Sequence, residues 1–275
     1  MLVRVRGRDS GTLERESTPA SPGRVRSGGH MPPRFIANPA FEVPAAAIKG
    51  LAAAVKAGVR SPAPPPRPLI ILSGYHSPII PALTLASLLR TFGAASRSNT
   101  LAISYLGSRR VETAAERAMA AITRRGWNHE PVDVVGISMG GIVARLLAAD
   151  HGLKVQRLFT LASPHQGAII TRWIKPDPAA YELAPGSPLL TRLDTCLPAS
   201  IPELTCYALL RDWLVGAQQT APAGHTSLWL DVDRIIARPI SHFSITSDRR
   251  IVGDLALRLM NQTPWSSPGM PPPIQ

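Results

Sequence analysis

Cysteine is almost missing from this chain: Cys196 and Cys206 are the only two in 275 residues. Two cysteines exclude a disulfide-built scaffold, and no Cys/His group shows metal-ligand spacing. No run of about 18 apolar residues occurs, so no membrane-spanning helix is expected. The basic N-terminus is followed by no apolar segment, which predicts no secretory signal and a cytoplasmic location. A bridge between Cys196 and Cys206 would suit an exported protein; without a signal, two reduced, partly buried thiols are expected. No glycine loop of the phosphate-cradling kind is present, so the expected chemistry uses neither cofactor nor metal. Lysine is scarce as well, four of the thirty basic residues, the rest being arginine.

The net charge of +12 is unevenly spread. Residues 1–67 carry eleven Lys and Arg against four acids. Met1 to about Pro33 is rich in Arg, Gly, Ser and Pro without an apolar period, which predicts disorder. Met31 offers an alternative start. Val43 to Val59 is an Ala-rich stretch able to form a helix, and Ser61 to Pro68 reads as a stiff polyproline-like linker. The basic arm offers a peripheral contact with an anionic membrane. It lacks interleaved aromatics and any recognition motif, so nucleic acid is not an expected partner and a solvated arm is preferred. Residues 68–262 form the expected domain, and residues 263–275, with five prolines, a loose tail.

Within that domain one motif carries chemistry. Pro131 to Val135 reads as a short buried strand, Gly136-Ile137-Ser138-Met139-Gly140 as a tight turn, and Ile142 to Ala149 as a helix. A G-x-S-x-G turn between strand and helix exposes its serine in a strained conformation, with small neighbours on the inside of the turn. The helix then aims its N-terminal N–H groups where an oxyanion would develop. Ser138 is therefore the candidate nucleophile.

A base and an acid should follow in the order Ser, acid, His. Among seven histidines, His242 is singled out by its place in Pro239 to Ser244, between a strand predicted near Val232–Ala237 and a helix from about Asp248 to Met260. For the acid, Asp212 stands just after the strand Leu204–Leu210, as an imidazole-orienting carboxylate should. Asp194, Asp231 and Asp233 are its rivals: Asp231 and Asp233 read as within or before the last strand, Asp194 as part of a cap. Oxyanion donors are expected from the N–H of Met139 and, after the apolar strand Leu69–Leu72, from the N–H of Tyr75.

These stretches resemble the lipase-like α/β-hydrolases, a group spanning bacterial lipases and deacylases that act on lipid anchors. Gly136 to Gly141 is similar to the family's elbow, Leu161 to Gly167 (LASPHQG) to the segment after its next strand, and Leu183 to Leu193 (LAPGSPLLTRL) to part of its cap. Asp212 to Val215 and Ser241 to Ser244 resemble its acid and histidine loops. The resemblance runs from about Pro68 to Met260. It implies Ser138, Asp212 and His242 as triad and Met139 as oxyanion donor, with His165 structural or pocket-lining. The chain departs from it at Ser73-Gly74-Tyr75-His76, where a His-Gly pair is common.

The fold expected is α/β: a mostly parallel sheet of six strands, near 69–72, 101–105, 132–136, 158–161, 204–210 and 232–237, with helices on both faces near 82–92, 111–125 and 142–150. Residues 168–202 interrupt the alternation and read as a short cap, whose apolar side chains serve either as an acyl-binding surface or as ordinary core. The function expected is ester hydrolysis on a small-molecule or lipid ester. Acyl transfer on the same triad and a non-catalytic lipid-binding module are the alternatives.

Overall fold

Leu69-Ile70-Ile71-Leu72 has no polar residue on either side of its pleat, and all four side chains are buried. A strand apolar on both faces belongs in the interior of a parallel sheet. A computed structural model of the chain describes residues 49–50, 53, 67–174, 177–231, 238–266 and 272, and in it Leu69–Leu72 is β1. The strands that follow are β2 (Thr100–Ile103), β3 (Val132–Ile137), β4 (Val155–Leu161), β5 (Glu203–Leu209) and β6 (Leu228–Leu230). They form one six-stranded sheet in the order β2-β1-β3-β4-β5-β6, every pairing parallel.

Because successive side chains of a strand point to opposite faces, β1 divides its residues between two cores. Leu69 and Ile71 pack with α1 (Ile80–Thr91) and with a late helix, Arg249–Leu259. Ile70 and Leu72 pack with α2 (Val111–Arg124) and α3 (Met139–Asp150). Helix α2 shows why it faces inward: Val111, Ala114, Ala115, Ala118 and Ile122 recur at helical spacing and are buried. Its first N–H, on Val111, is satisfied from outside by Oε2 of Glu182 at 2.6 Å.

The segment expected as a cap divides in two. Its first part holds a 3-10 turn, Ile169–Arg172, and the short helix α4, Pro178–Glu182. Its second part is α5, Pro188–Ser200, capped by the Ser187 hydroxyl. Leu190, Leu193 and Leu197 of α5 are buried in the core of α2 and α3, and Arg192 reaches Asp150 of α3 with two bonds of 2.7 and 2.8 Å. Helix α5 is thus a layer of the fold. After β6 come α6 (Arg238–Ser244) and α7 (Arg249–Leu259).

Four expectations need revision. Strand β4 begins at Val155, ahead of the apolar run at Leu158, because Arg157 is buried without an orphaned charge: Nε and Nη2 bond the Asp133 carboxylate of β3 at 3.0 and 2.5 Å. Helix α3 begins at Met139, before Ile142, since Ser138 itself stands at its N-cap. The sixth strand is Leu228–Leu230; the strand predicted at Val232–Ala237 lies outside the described residues. The tail is packed at its start, where Ser266 donates from both N and Oγ to the buried Asp254 carboxylate at 2.7 and 2.6 Å. The predicted disorder of Met1–Pro33, the linker before Arg67 and the basic arm lie outside the described residues. Of the Ala-rich stretch, Lys49, Gly50 and Ala53 are helical and exposed. Among the described residues no helix is long and apolar enough to cross a membrane.

Candidate active site

The chain leaves β1 toward β2 on one side and continues from β3 toward β6 on the other. The loops after β1 and β3 therefore diverge at their C-terminal ends and open a crevice, the position where parallel sheets of this kind bind ligands. Ser138 sits in that crevice, directly after β3. Its backbone is at φ 52°, ψ −123°, a region that a side chain other than glycine rarely enters. The N–H of Ser138 donates to the carbonyl of Leu161 at 2.8 Å, which ties the strained turn to β4.

The surrounding glycines permit this turn. A Cβ on Gly136 would lie 2.4 Å from the Gly141 Cα, and one on Gly140 would lie 2.4 Å from the Leu72 carbonyl oxygen. Helix α3 can begin against the end of β1 only because those atoms are absent. The N–H of Met139, in the first turn of α3, belongs to the set that a helix leaves without internal partners. Across the crevice, a Cβ on Gly74 would stand 3.2 Å from the Ser138 Cβ, and Tyr75 lines the same cavity as Ser138. The loop that carries the Tyr75 N–H therefore borders the serine. The Tyr105 hydroxyl donates to the Ser73 carbonyl and fixes that loop at its root.

Asp212 follows β5 and is 1% exposed. Its Oδ2 lies 2.7 Å from Nδ1 of His242, itself buried on α6. Its Oδ1 accepts the N–H groups of Leu214 at 3.0 Å and Val215 at 3.2 Å. The carboxylate is thereby held in a side-chain-closed turn and aimed at one imidazole nitrogen. A carboxylate opposite Nδ1 places the proton there and leaves Nε2 as the basic nitrogen, and His242 lines the same cavity as Ser138. His242 stands on a helical turn where a loop was expected.

The rival acids are engaged elsewhere. Asp194 bonds Arg145 at 2.6 Å, and Asp231 bonds Arg211 at 2.9 Å. Asp231 follows β6, and the strand predicted after it lies outside the described residues. Asp233 lies outside the described residues, as does His30. His165 is fully buried: Nδ1 faces Arg145 Nη1 at 3.1 Å, and Nε2 faces Thr160 Oγ1 at 3.1 Å. Since Arg145 has only donors, Nδ1 accepts and Nε2–H donates. Burial first, then the Arg145 charge, pushes the His165 pKa well below its ordinary value, so the ring stays neutral.

The cavity over Ser138 encloses about 160 Å³, below the roughly 300–1,000 Å³ of drug-sized ligand sites. Its walls are largely apolar: Ile137 below, Ala168, Ile170 and Ile174 from the cap segment, Ala180 and Leu183 from around α4, and Leu214 and Val215 from the acid loop. The hydroxyls of Ser77, Thr171 and Thr246 on its wall donate to the backbone carbonyls of Pro78, Ala168 and Phe243 at 3.1, 2.7 and 3.1 Å. Tyr75 keeps its proton strongly. Burial, then a bond to the Asp177 carboxylate, raises its pKa to about 12, with Arg109 acting in the opposite direction. The cap segment thus divides: Ala168, Ile170, Thr171, Ile174, Ala180 and Leu183 line the cavity, and Leu190, Leu193 and Leu197 of α5 are core.

Cys196 and Cys206 are both free thiols, and burial pushes Cys206 up to about 12. Among the described residues no group of three or more His, Cys, Asp or Glu side chains is arranged to hold a metal ion. The donors from Leu214 and Val215 went unnoticed in the sequence, although an Asp followed two and three residues later by free N–H groups is a recognised turn signal.

Residues 104–174, which include Ser138, match the family model for the PGAP1-like alpha/beta domain. No curated protein matches the chain. Among solved structures, the propeptide form of Bacillus licheniformis lipase BlEst2 superimposes with a TM-score of 0.52 at 14% identity, over 77% of this chain and 54% of that one. The mature form gives 0.50 at 15% identity, over 73% and 92%. Aspergillus fumigatus lipase B gives 0.52 at 16%, over 83% and 60%. The chain thus spans about half the length of the propeptide form.

Proposed function

The chain has the fold of the lipase-like α/β-hydrolases, and on that premise we propose that it is a serine hydrolase cleaving carboxylic esters with short, apolar acyl groups. The observation that carries this reading is the 2.7 Å pairing of His242 with Asp212 beside a serine at positive φ, on one apolar cavity.

The chemistry follows from the roles of the groups. His242 Nε2 takes the Ser138 proton as Oγ attacks the ester carbonyl, and Asp212 stabilises the imidazolium that forms. The N–H groups of Met139 and Tyr75 receive the negative charge of the tetrahedral oxygen. Collapse expels the alcohol, protonated by His242, and leaves Ser138 acylated. Water, deprotonated by the same nitrogen, then releases the acid and restores the serine.

The cavity wall supports the substrate class. The Ser77, Thr171 and Thr246 hydroxyls donate to backbone carbonyls, and most of the remaining wall is hydrocarbon. A polar group on the acyl chain would therefore find few donors in exchange for the water it loses. Exposed Ile80, Trp173 and Phe243, each in or next to a cavity-lining residue, favour an ester presented from a lipidic phase. An anionic membrane contact through the basic arm would add to that attraction. The test is turnover of p-nitrophenyl esters of graded acyl length by the full chain and by Ser138→Ala. Turnover that falls with acyl length and vanishes in the variant supports the reading; equal rates in the two proteins reject it.

A further inference from the structure

The wall of the acyl cavity is shared at one place. Thr171, Ile174 and Ala180 line the cavity over Ser138, and the same three residues line a second hollow of about 300 Å³ on the outer side of the cap segment. The rest of that hollow is formed by Arg172, Tyr181, Ala184 and Pro185. The two spaces therefore share these three residues as a common partition.

The three residues differ in their capacity to move. Thr171 is anchored, its hydroxyl donating to the Ala168 carbonyl at 2.7 Å, and Ala180 has no side-chain torsion to turn. Ala180 is further fixed by its N–H, which donates to the Asp177 carboxylate at 3.0 Å in the cap of α4. Ile174 is half-buried, lies past the end of the 3-10 turn, and carries the one flexible apolar side chain of the partition.

We propose that Ile174 sets the acyl-length limit of the enzyme, and that the outer hollow receives the distal methylenes of longer acyl chains when its side chain turns aside. This rests on the hydrolase reading above, and extends it from the first few carbons of the acyl group to the rest of the chain. The occupant is an unbranched alkyl tail. The hollow is lined by Ala184, Pro185, Tyr181 and Arg172, all of which carry hydrocarbon able to meet methylenes.

The experiment compares the kcat/KM ratio for p-nitrophenyl dodecanoate over butyrate in the full chain, Ile174→Ala and Ala184→Trp. Removing the Ile174 side chain should raise the ratio roughly sixteenfold if two further methylenes are seated, each worth about fourfold. Filling the outer hollow with Ala184→Trp should lower the ratio, and the double variant should lose the gain of Ile174→Ala. Should Ile174→Ala fail to fold, Ala184→Trp poses the same question from the other side of the partition. An unchanged ratio in the folded variants overturns the proposal while leaving an active, Ser138-dependent enzyme. Esterase activity that is absent from the full chain, or equal in Ser138→Ala, would remove the hydrolase reading itself.

Discussion

Asp212 and His242 are thirty residues apart in the chain and meet at 2.7 Å, Oδ2 to Nδ1, with the second carboxylate oxygen fixed by two backbone N–H groups of the same loop. The carboxylate has no freedom to turn away, so the imidazole is held in one tautomer. Replacing it by an amide of the same shape keeps the loop bonds but can present an N–H to Nδ1, which selects the wrong tautomer. Asp212→Asn should lower kcat by about 10⁴ with little change in KM. Steady-state kinetics on a butyrate ester give the answer, and a loss under tenfold would show that another group orients His242.

The elbow glycines lead to a stability prediction. A Cβ on Gly136 would press on backbone atoms of Gly140 and Gly141 at 2.6 and 2.4 Å, and backbone cannot swing aside as a side chain tip can. Gly136→Ala should destabilise the fold by about 1–3 kcal/mol, as overpacking does. Gly107, where a Cβ would meet nothing but φ is +83°, should show the smaller penalty of a left-handed position. Urea denaturation of the two variants compares them directly.

His165 gives a pH dependence. Its folded pKa lies well below the ordinary value of 6.5, so below pH 6.5 the unfolded chain binds a proton that the folded chain refuses. Stability is then complete above 6.5 and falls with pH below it, by at most about 1.4 kcal/mol per unit from this group. Denaturant midpoints of wild type and His165→Gln, taken at pH 7.5 and 5.5, should show a smaller loss on acidification in the variant. Parallel losses would mean that His165 is protonated in the fold.

The thiols should differ in reactivity. Cys206 is buried with a pKa pushed up to about 12, while Cys196 is half-buried with its sulfur on α5. An aromatic disulfide reagent at pH 8 should label one thiol quickly in the native protein and both after denaturation, since only the thiolate reacts. Fast labelling of both in the native state would contradict the burial of Cys206.

The strand–turn–helix around Ser138 was legible in the sequence because its constraints are local. Gly136, Gly140 and the strand and helix around Ser138 all fall between Val132 and Asp150. Asp212 was legible as a strand-end acid for the same reason. What escaped notice depends on partners distant in the chain. Strand β4 runs three residues before its apolar core because Arg157 finds Asp133 on β3 and the carbonyl of Arg258 at 2.6 Å, which no local pattern announces. The three-residue β6 is too short for a periodicity to show. The division of the cap segment into pocket wall and core layer follows from Leu190, Leu193 and Leu197 meeting α3, a tertiary fact that hydrophobicity alone leaves undecided.

The central claim is that Ser138 is a nucleophile activated by His242, and covalent trapping tests it without choosing a substrate. The full chain would be treated with a p-nitrophenyl alkylphosphonate, followed by intact mass and peptide mapping. One phosphonyl group on Ser138, with labelling lost in Ser138→Ala and strongly slowed in His242→Ala, is the result this account predicts. Labelling on another residue, or an equal rate in the His242 variant, would contradict it.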